Sequence, residues 1–330
     1  MAGVIGSLRQ LVLAPSLDTV SFAGRGFSVP PSPVSHALEA IPQAVVCGFE
    51  WAISAPDVTD VRRRLRLVDP EHRGFAYEGA TMAYTVLDTI HGQQTRELLS
   101  GDGDRHIFLA YIGIGFAMSK LPRPLWKKVL PNLTESRYHP SMSWLAVDGY
   151  GFDQAYFDTD RVVNRQELLE PYPWQGHPEY FPRAVDQGIG RALWFIHGAD
   201  CRKVTDAVGR FPQHRQADLW SGVGLAATFA GGGRAEELAA MSQAAGPYRA
   251  ELALGSVFAI KARTHAGFVP EHTATTTAEL TSLTVDEVAE LADSTEVFGP
   301  VSNAYPRYEL WRREIRKYFA CSDSSVASAS

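Results

Sequence analysis

Cysteine is scarce in this chain, and the signatures that most often betray an enzyme are missing altogether. Three cysteines, Cys47, Cys201 and Cys321, are odd in number, far apart and in no metal-ligand spacing. Disulfides are therefore not expected, and a reducing, cytoplasmic location is. No stretch of about 18 uninterrupted apolar residues exists, so no membrane span is expected. The apolar run Leu11–Ala14 is cut by Pro15 and is too short for a secretory signal. Nor is there an excess of basic charge. Thirty-one Lys and Arg face 37 Asp and Glu, a net charge of −6, which argues against a nucleic-acid partner. The short basic runs Arg62–Arg64 and Lys127–Lys128 read as solvated helix faces.

The chemical motifs that can be excluded are as informative. No Gly-x-Gly-x-x-Gly follows a strand and no Gly-Lys-Ser/Thr occurs, so nothing supports a nucleotide cofactor. Gly-x-Ser-x-Gly is absent; Ser221 sits in Leu-Trp-Ser-Gly instead. No His-Glu-x-x-His and no histidine pair at i, i+4 offers a zinc site. The Asp-Asp-x-x-Asp and Asp-x-Asp-Asp motifs of the two isoprenoid-cyclase classes are also lacking. No cofactor and no metal are expected.

What is present is an apparent internal repeat. Offsetting the chain by 143 residues lays Trp51 on Trp194, Asp57 on Asp200, Gly79 on Gly222, Ala83 on Ala226 and Thr85 on Thr228. With 45% apolar and 21% charged residues the chain can bury a sizeable core. The expected fold is mostly α, with two pseudo-symmetric helical halves from an internal duplication packed as one globular unit. The boundaries follow: an extended arm at 1–35, helical repeats at 36–170 and 171–320, and a flexible tail at 321–330. The Pro-, Gly- and Ser-rich arm could hold a strand or two. Helices are expected over 74–90, 105–120, 188–198, 200–210, 214–230, 235–245, 248–264 and 306–319. Gly113 and Gly115 in the second of these would allow close helix approach, and Gly231–Gly233 should end the fifth. A further short helix over 286–293 should start at Thr284, with Glu287 closing a capping box.

Polar residues set among bulky apolar ones are the candidates for chemistry, because burial perturbs their pKa values. Asp148 lies in Trp144-Leu-Ala-Val-Asp-Gly-Tyr150-Gly-Phe152, where desolvation would favour the neutral acid. A helix cap or a core partner for arginine is the plainer role. Asp153 and Asp158 are expected to face solvent. Arg191 is embedded in an apolar helix and must meet an anion, either a core carboxylate or a substrate group. Its counterpart at the 143 offset is Gly48. Asp218 and Glu78 each lack a carboxylate counterpart in the other half, so the two could meet in a common cleft; an Asp–Arg core pair with Arg215 or Arg191 is the alternative. His139 is a weaker candidate, and His197 could be core or site. Tyr77, Trp144, Tyr150, Phe152, Trp194 and Trp220 are candidate aromatic walls, although Trp194, matched by Trp51, reads mostly as core.

The blocks Asp148–Phe152, Gly188–Phe195, Asp218–Ala226 with Gly231-Gly232, Arg73–Gly79 and Phe22–Phe27 together resemble a bacterial family of unknown function. That family is found mainly in actinobacteria and myxobacteria and is often encoded in natural-product clusters, including enediyne-type polyketide ones. The resemblance covers nearly the whole chain and implies specialised metabolism. It carries no assigned catalytic residues. The function expected is a cofactor-independent enzyme doing acid–base isomerisation, dehydration or cyclisation on a large apolar polyene, polyketide or isoprenoid. The alternative is a non-catalytic protein that holds a reactive intermediate. Partners would be the hydrophobic substrate and, beyond it, a second copy or a synthase.

Overall fold

A computed structural model describes residues 16–298 and 304–327, with side chains described up to Cys321. Among these residues the regular structure is all helical and no strand forms, as the mostly α expectation had it. In the arm no strand forms among the described residues 16–35, and the first 15 residues lie outside the described part. Its described portion holds a short helical turn, Leu17–Val20, and buries Val20 and Phe22 in the core. The last helix runs from Arg307 to Ala327, into the segment expected as a flexible tail, and buries Phe319 in the core; 328–330 are outside the described residues.

Seven helices make the framework: α1 (Pro33–Ser54), α2 (Pro70–Asp88), α3 (Ile107–Lys120), α4 (Trp144–Phe157), α5 (Phe181–Ile196), α6 (Gln213–Ala230) and α7 (Arg249–Ala266). Each packs chiefly on its neighbours in the chain, so they form one continuous row in chain order. Their starts carry local signals. Ser32 caps α1 through a reciprocal capping box with Ser35, and Pro33 occupies the first turn. Asp69 caps α2, again with a proline at the start. At the other end, Gly231 (φ +71°) and Gly232 (φ +97°) stop α6 as expected. The capping box of Thr284 and Glu287 starts the helix Val285–Ser294.

Glycine sets the spacing of the row. A Cβ on Gly48 or Gly79 would lie 1.9 or 1.8 Å from a backbone oxygen across the α1–α2 crossing. Gly113 meets the Glu78 carbonyl in the same way, at 2.1 Å. Reciprocal pairs follow at every later crossing: Gly115 with Gly149, Gly151 with Gly188, Gly190 with Gly222, and Gly224 with Gly255. Each interior helix from α3 to α6 therefore carries Gly-x-Gly. Two residues turn a helix by about 200°, so the first glycine faces the preceding helix and the second the following one. The period of these contacts is one helix, finer than the 143-residue offset, which spans four steps of the row.

The row is finished by helices laid against its end. Glu271–Thr281 and Val285–Ser294 pack on α7, as does the last helix, α8 (Arg307–Ala327). Gly232, just past α6, touches Val34 and Leu38 near the start of α1, and the Trp194 indole donates to the Gly231 carbonyl at 2.9 Å. One hydrophobic core runs from Phe22 to Phe319.

Candidate active site

The Gly-x-Gly rule also says which side chains share a face. The residue before the first glycine and the residue after the second lie about 40° apart around the helix, on the side away from the residue between them. Across the row these positions are Glu78 and Met82, Ile112 and Phe116, Asp148 and Phe152, Gln187 and Arg191, and Ser221 and Leu225. Seven of these ten line two adjoining apolar lobes; Asp148, Gln187 and Ser221 line neither. The smaller is walled by residues such as Leu109, Ile112, Leu225, Phe229 and Phe258. The larger is walled by α1 and by Met82, Phe116, Phe152 and Tyr156. Phe75, Glu78, Arg191 and Phe195 line both, so they form the waist.

Three ionisable groups converge there. Arg191 Nε lies 2.7 Å from Asp148 Oδ1, with the Asp148 side chain 1% and the Arg191 side chain 10% exposed. They touch as charges but are not aligned for an N–H···O hydrogen bond, and Arg191 Nη2 is buried with no hydrogen-bond partner. Phe152 stacks under the guanidinium, 5.0 Å from its carbon to the ring centre. Burial raises the Asp148 pKa, opposed by the positive fields of Arg191 and Arg312. Glu78 makes no side-chain hydrogen bond among the described residues, and burial pushes its pKa up to about 8. Arg191 works against that rise and Asp148 adds to it. Two buried carboxylates thus share one guanidinium, and the group is neutral when it keeps one proton.

The other expected residues fall elsewhere. Asp218 is buried but lines neither lobe. It is held by Arg183 at 2.8 Å, Arg312 at 3.3 Å and Gln187 at 2.9 Å. Glu309 on α8 joins that cluster through Arg183, Arg312 and the Tyr180 hydroxyl. Arg215, the partner considered for Asp218, pairs with Asp186 instead at 2.6 Å. His139 accepts or donates to the Tyr111 hydroxyl at 2.8 Å, outside both lobes, and burial lowers its pKa. Among the aromatic candidates only Phe152 lines a lobe. Tyr77 stacks on His106, Trp144 packs edge-on against Tyr180, and Tyr150 packs on Trp126. Trp194 and Trp220 are core residues.

Asp153 is a correction. It is 3% exposed rather than solvated, because it follows α4 onto the lobe wall, where Lys120 pairs with it at 3.2 Å. Asp158, just past the helix, is exposed as expected. Most of the apolar walls were missed: Phe49, Met82, Phe116, Leu225 and Phe258 carry no chemistry of their own to single them out. The signal that finds them is their position beside the crossing glycines.

The fold and site thus define an all-α protein with a divided apolar cavity and a carboxylate–guanidinium–carboxyl trio at its waist. By sequence the chain belongs to the family described as a protein of unknown function, DUF1702, which it matches over residues 4–319. No curated protein and no solved structure matches it. The three cysteines are free, and no helix among the described residues is long and apolar enough to cross a membrane.

Proposed function

We propose that this protein is an enzyme that works without a cofactor, moving a proton to or from a large apolar substrate held across the two lobes. Glu78 is the proton donor and acceptor. The observation that carries this reading is a buried carboxyl that lines an apolar cavity without a hydrogen-bonded partner among the described residues, where burial pushes its pKa up to about 8. A general acid is most effective when its pKa lies near the working pH. Asp148 stays paired with Arg191, so the shared proton rests on Glu78. Aromatic faces at Phe75, Phe152 and Phe195 would stabilise positive charge developing along an unsaturated chain. Isomerisation, dehydration and cyclisation of a polyene, polyketide or isoprenoid all need this step. A role in specialised metabolism follows from the same substrate class.

The test is E78Q, which keeps the volume and removes the acid. Extracts of a strain lacking the gene should accumulate an intermediate that the wild-type gene consumes. E78Q should lower that consumption by at least about 100-fold, the usual range for a lost general acid, while still co-purifying with the intermediate. Unchanged turnover in E78Q would sink the proton-transfer reading and leave a carrier that holds a reactive intermediate.

A further inference from the structure

We infer that the ligand of this cavity is a long hydrocarbon chain bearing a neutral carbonyl oxygen in its middle, bound at the waist by Arg191 and Glu78. The inference rests on the reading of Glu78 as a proton-holding carboxyl and adds the class of molecule it meets.

Three observations carry it. First, the polar waist has an apolar lobe on either side, the larger one against α1. A molecule that fills both must present hydrocarbon at both ends and its polar atom between them. A fatty acid, with its polar group at one end, would leave one lobe empty or carry its head to Lys120 at the wall of the larger lobe, a cation that Asp153 already neutralises. Second, the Arg191 side chain is nine-tenths buried, lines both lobes, and keeps Nη2 without a partner although Asp148 occupies the Nε side. A buried N–H with no acceptor is costly, and a ligand oxygen at the waist supplies one. Third, the charges already balance. Arg191 offsets Asp148, and Glu78 is neutral when protonated. A ligand carboxylate would bring a further negative charge into a site with no unpaired cation among the described residues, since Asp148 faces Arg191 and Asp153 faces Lys120, whereas a ketone or similar carbonyl keeps it neutral. Such an oxygen would accept from both Arg191 Nη2 and the protonated Glu78. Those are the two donors that polarise a carbonyl and make the carbon next to it acidic.

The experiment uses the full chain and three probes of equal length: pentadecan-8-one labelled with ¹³C at the carbonyl, pentadecane and pentadecanoate. At neutral pH the ketone should bind roughly tenfold or more tightly than either of the others. Its ¹³C=O stretch should fall below the value in hexane, as two donors require. R191K keeps a cation for Asp148 but withdraws the planar fork, and the ketone should then lose most of its advantage and its lowered stretch. If R191K does not fold, the stretch in the wild-type protein and the order of the three affinities still decide. A bound stretch equal to that in hexane, or a carboxylate that binds more tightly than the ketone, overturns the inference. E78Q separates it from the catalytic reading: its amide N–H still donates, so ketone binding should persist there even where turnover is lost.

Discussion

Glu78 is a residue whose chemistry and stability cost have the same source. Its carboxyl sits near pKa 8 in the folded chain against an ordinary 4.5. As pH rises through 4.5 the unfolded chain gives up this proton while the folded chain keeps it, so the folded state binds more protons and stability falls. The loss accumulates up to about pH 8 and then stops. E78Q removes this dependence. Thermal unfolding of wild type and E78Q from pH 4 to pH 9 should show curves that coincide at the acid end and separate toward pH 8. There the variant should be more stable by a few kcal/mol, at about 1.4 kcal/mol per pKa unit. Melts that run parallel across the range would mean that Glu78 ionises normally. Asp148 and Arg191 predict the opposite kind of variant. R191M leaves Asp148 buried without its cation and should cost roughly 3–5 kcal/mol in urea unfolding. The trio could be picked out from sequence because ionisable residues in apolar helices are conspicuous. Asp218 was equally conspicuous and is not at the cavity. What distinguishes it is its set of partners, Arg183, Gln187 and Arg312, which come together only in the folded chain.

At the scale of the element, glycine decides how close the helices come and which face they turn inward. Gly188 and Gly209 separate the two roles a helical glycine can have. A Cβ at Gly188 would lie 1.9 Å from the Asp148 carbonyl oxygen, a backbone atom that cannot step aside. G188A should therefore force α4 and α5 apart and destabilise by roughly 3 kcal/mol or more. It should also disturb Asp148 and Arg191, which flank the same crossings. Gly209 ends its helix with nothing within 4 Å of a Cβ. G209A should gain roughly 0.5 kcal/mol from the lower entropy of the unfolded chain. Urea midpoints of the two variants should move in opposite directions; a shared direction would refute the spacing argument. Most of the helices were legible from apolar periodicity and end signals, with bounds shifted by a few residues. The helices Val58–Leu67, Gln94–Leu99, Trp144–Phe157 and Glu271–Thr281 were not. Val58–Leu67 does carry an apolar stripe, Val58, Val61 and Leu65, but four arginines dominate its composition; Trp144–Phe157 is buried nearly all round and Glu271–Thr281 is rich in threonine, so neither of those shows one. The row itself was written in the sequence as Gly-x-Gly at 113, 149, 188 and 222. The 143-residue offset captured only every fourth step of it.

For the whole molecule, the cavity exists only when the chain on both sides of residue 171 is present. Glu78, Asp148 and Phe152 come from one side; Arg191, Phe195 and Leu225 come from the other. The join between them is the α4–α5 crossing at Gly151 and Gly188, where backbones nearly touch over a wholly buried face. α8 clasps the second side: Arg312 meets Asp218, the Tyr308 hydroxyl donates to Gln187 at 3.0 Å, and the Trp311 indole donates to the Ala292 carbonyl. A half made alone would expose the apolar side of α4 or α5 together with half of the lobes, an area far beyond what a soluble monomer tolerates. Residues 1–170 and 171–330, produced separately, should aggregate or stay partly folded. Produced together, they should associate into a species with one cooperative melt, as a single core predicts. That species should restore binding of the mid-chain ketone, because Glu78 and Arg191 are reunited at the waist. A cooperative transition in either fragment by itself would show instead that the row divides into independent units, with the polar trio lying across their boundary.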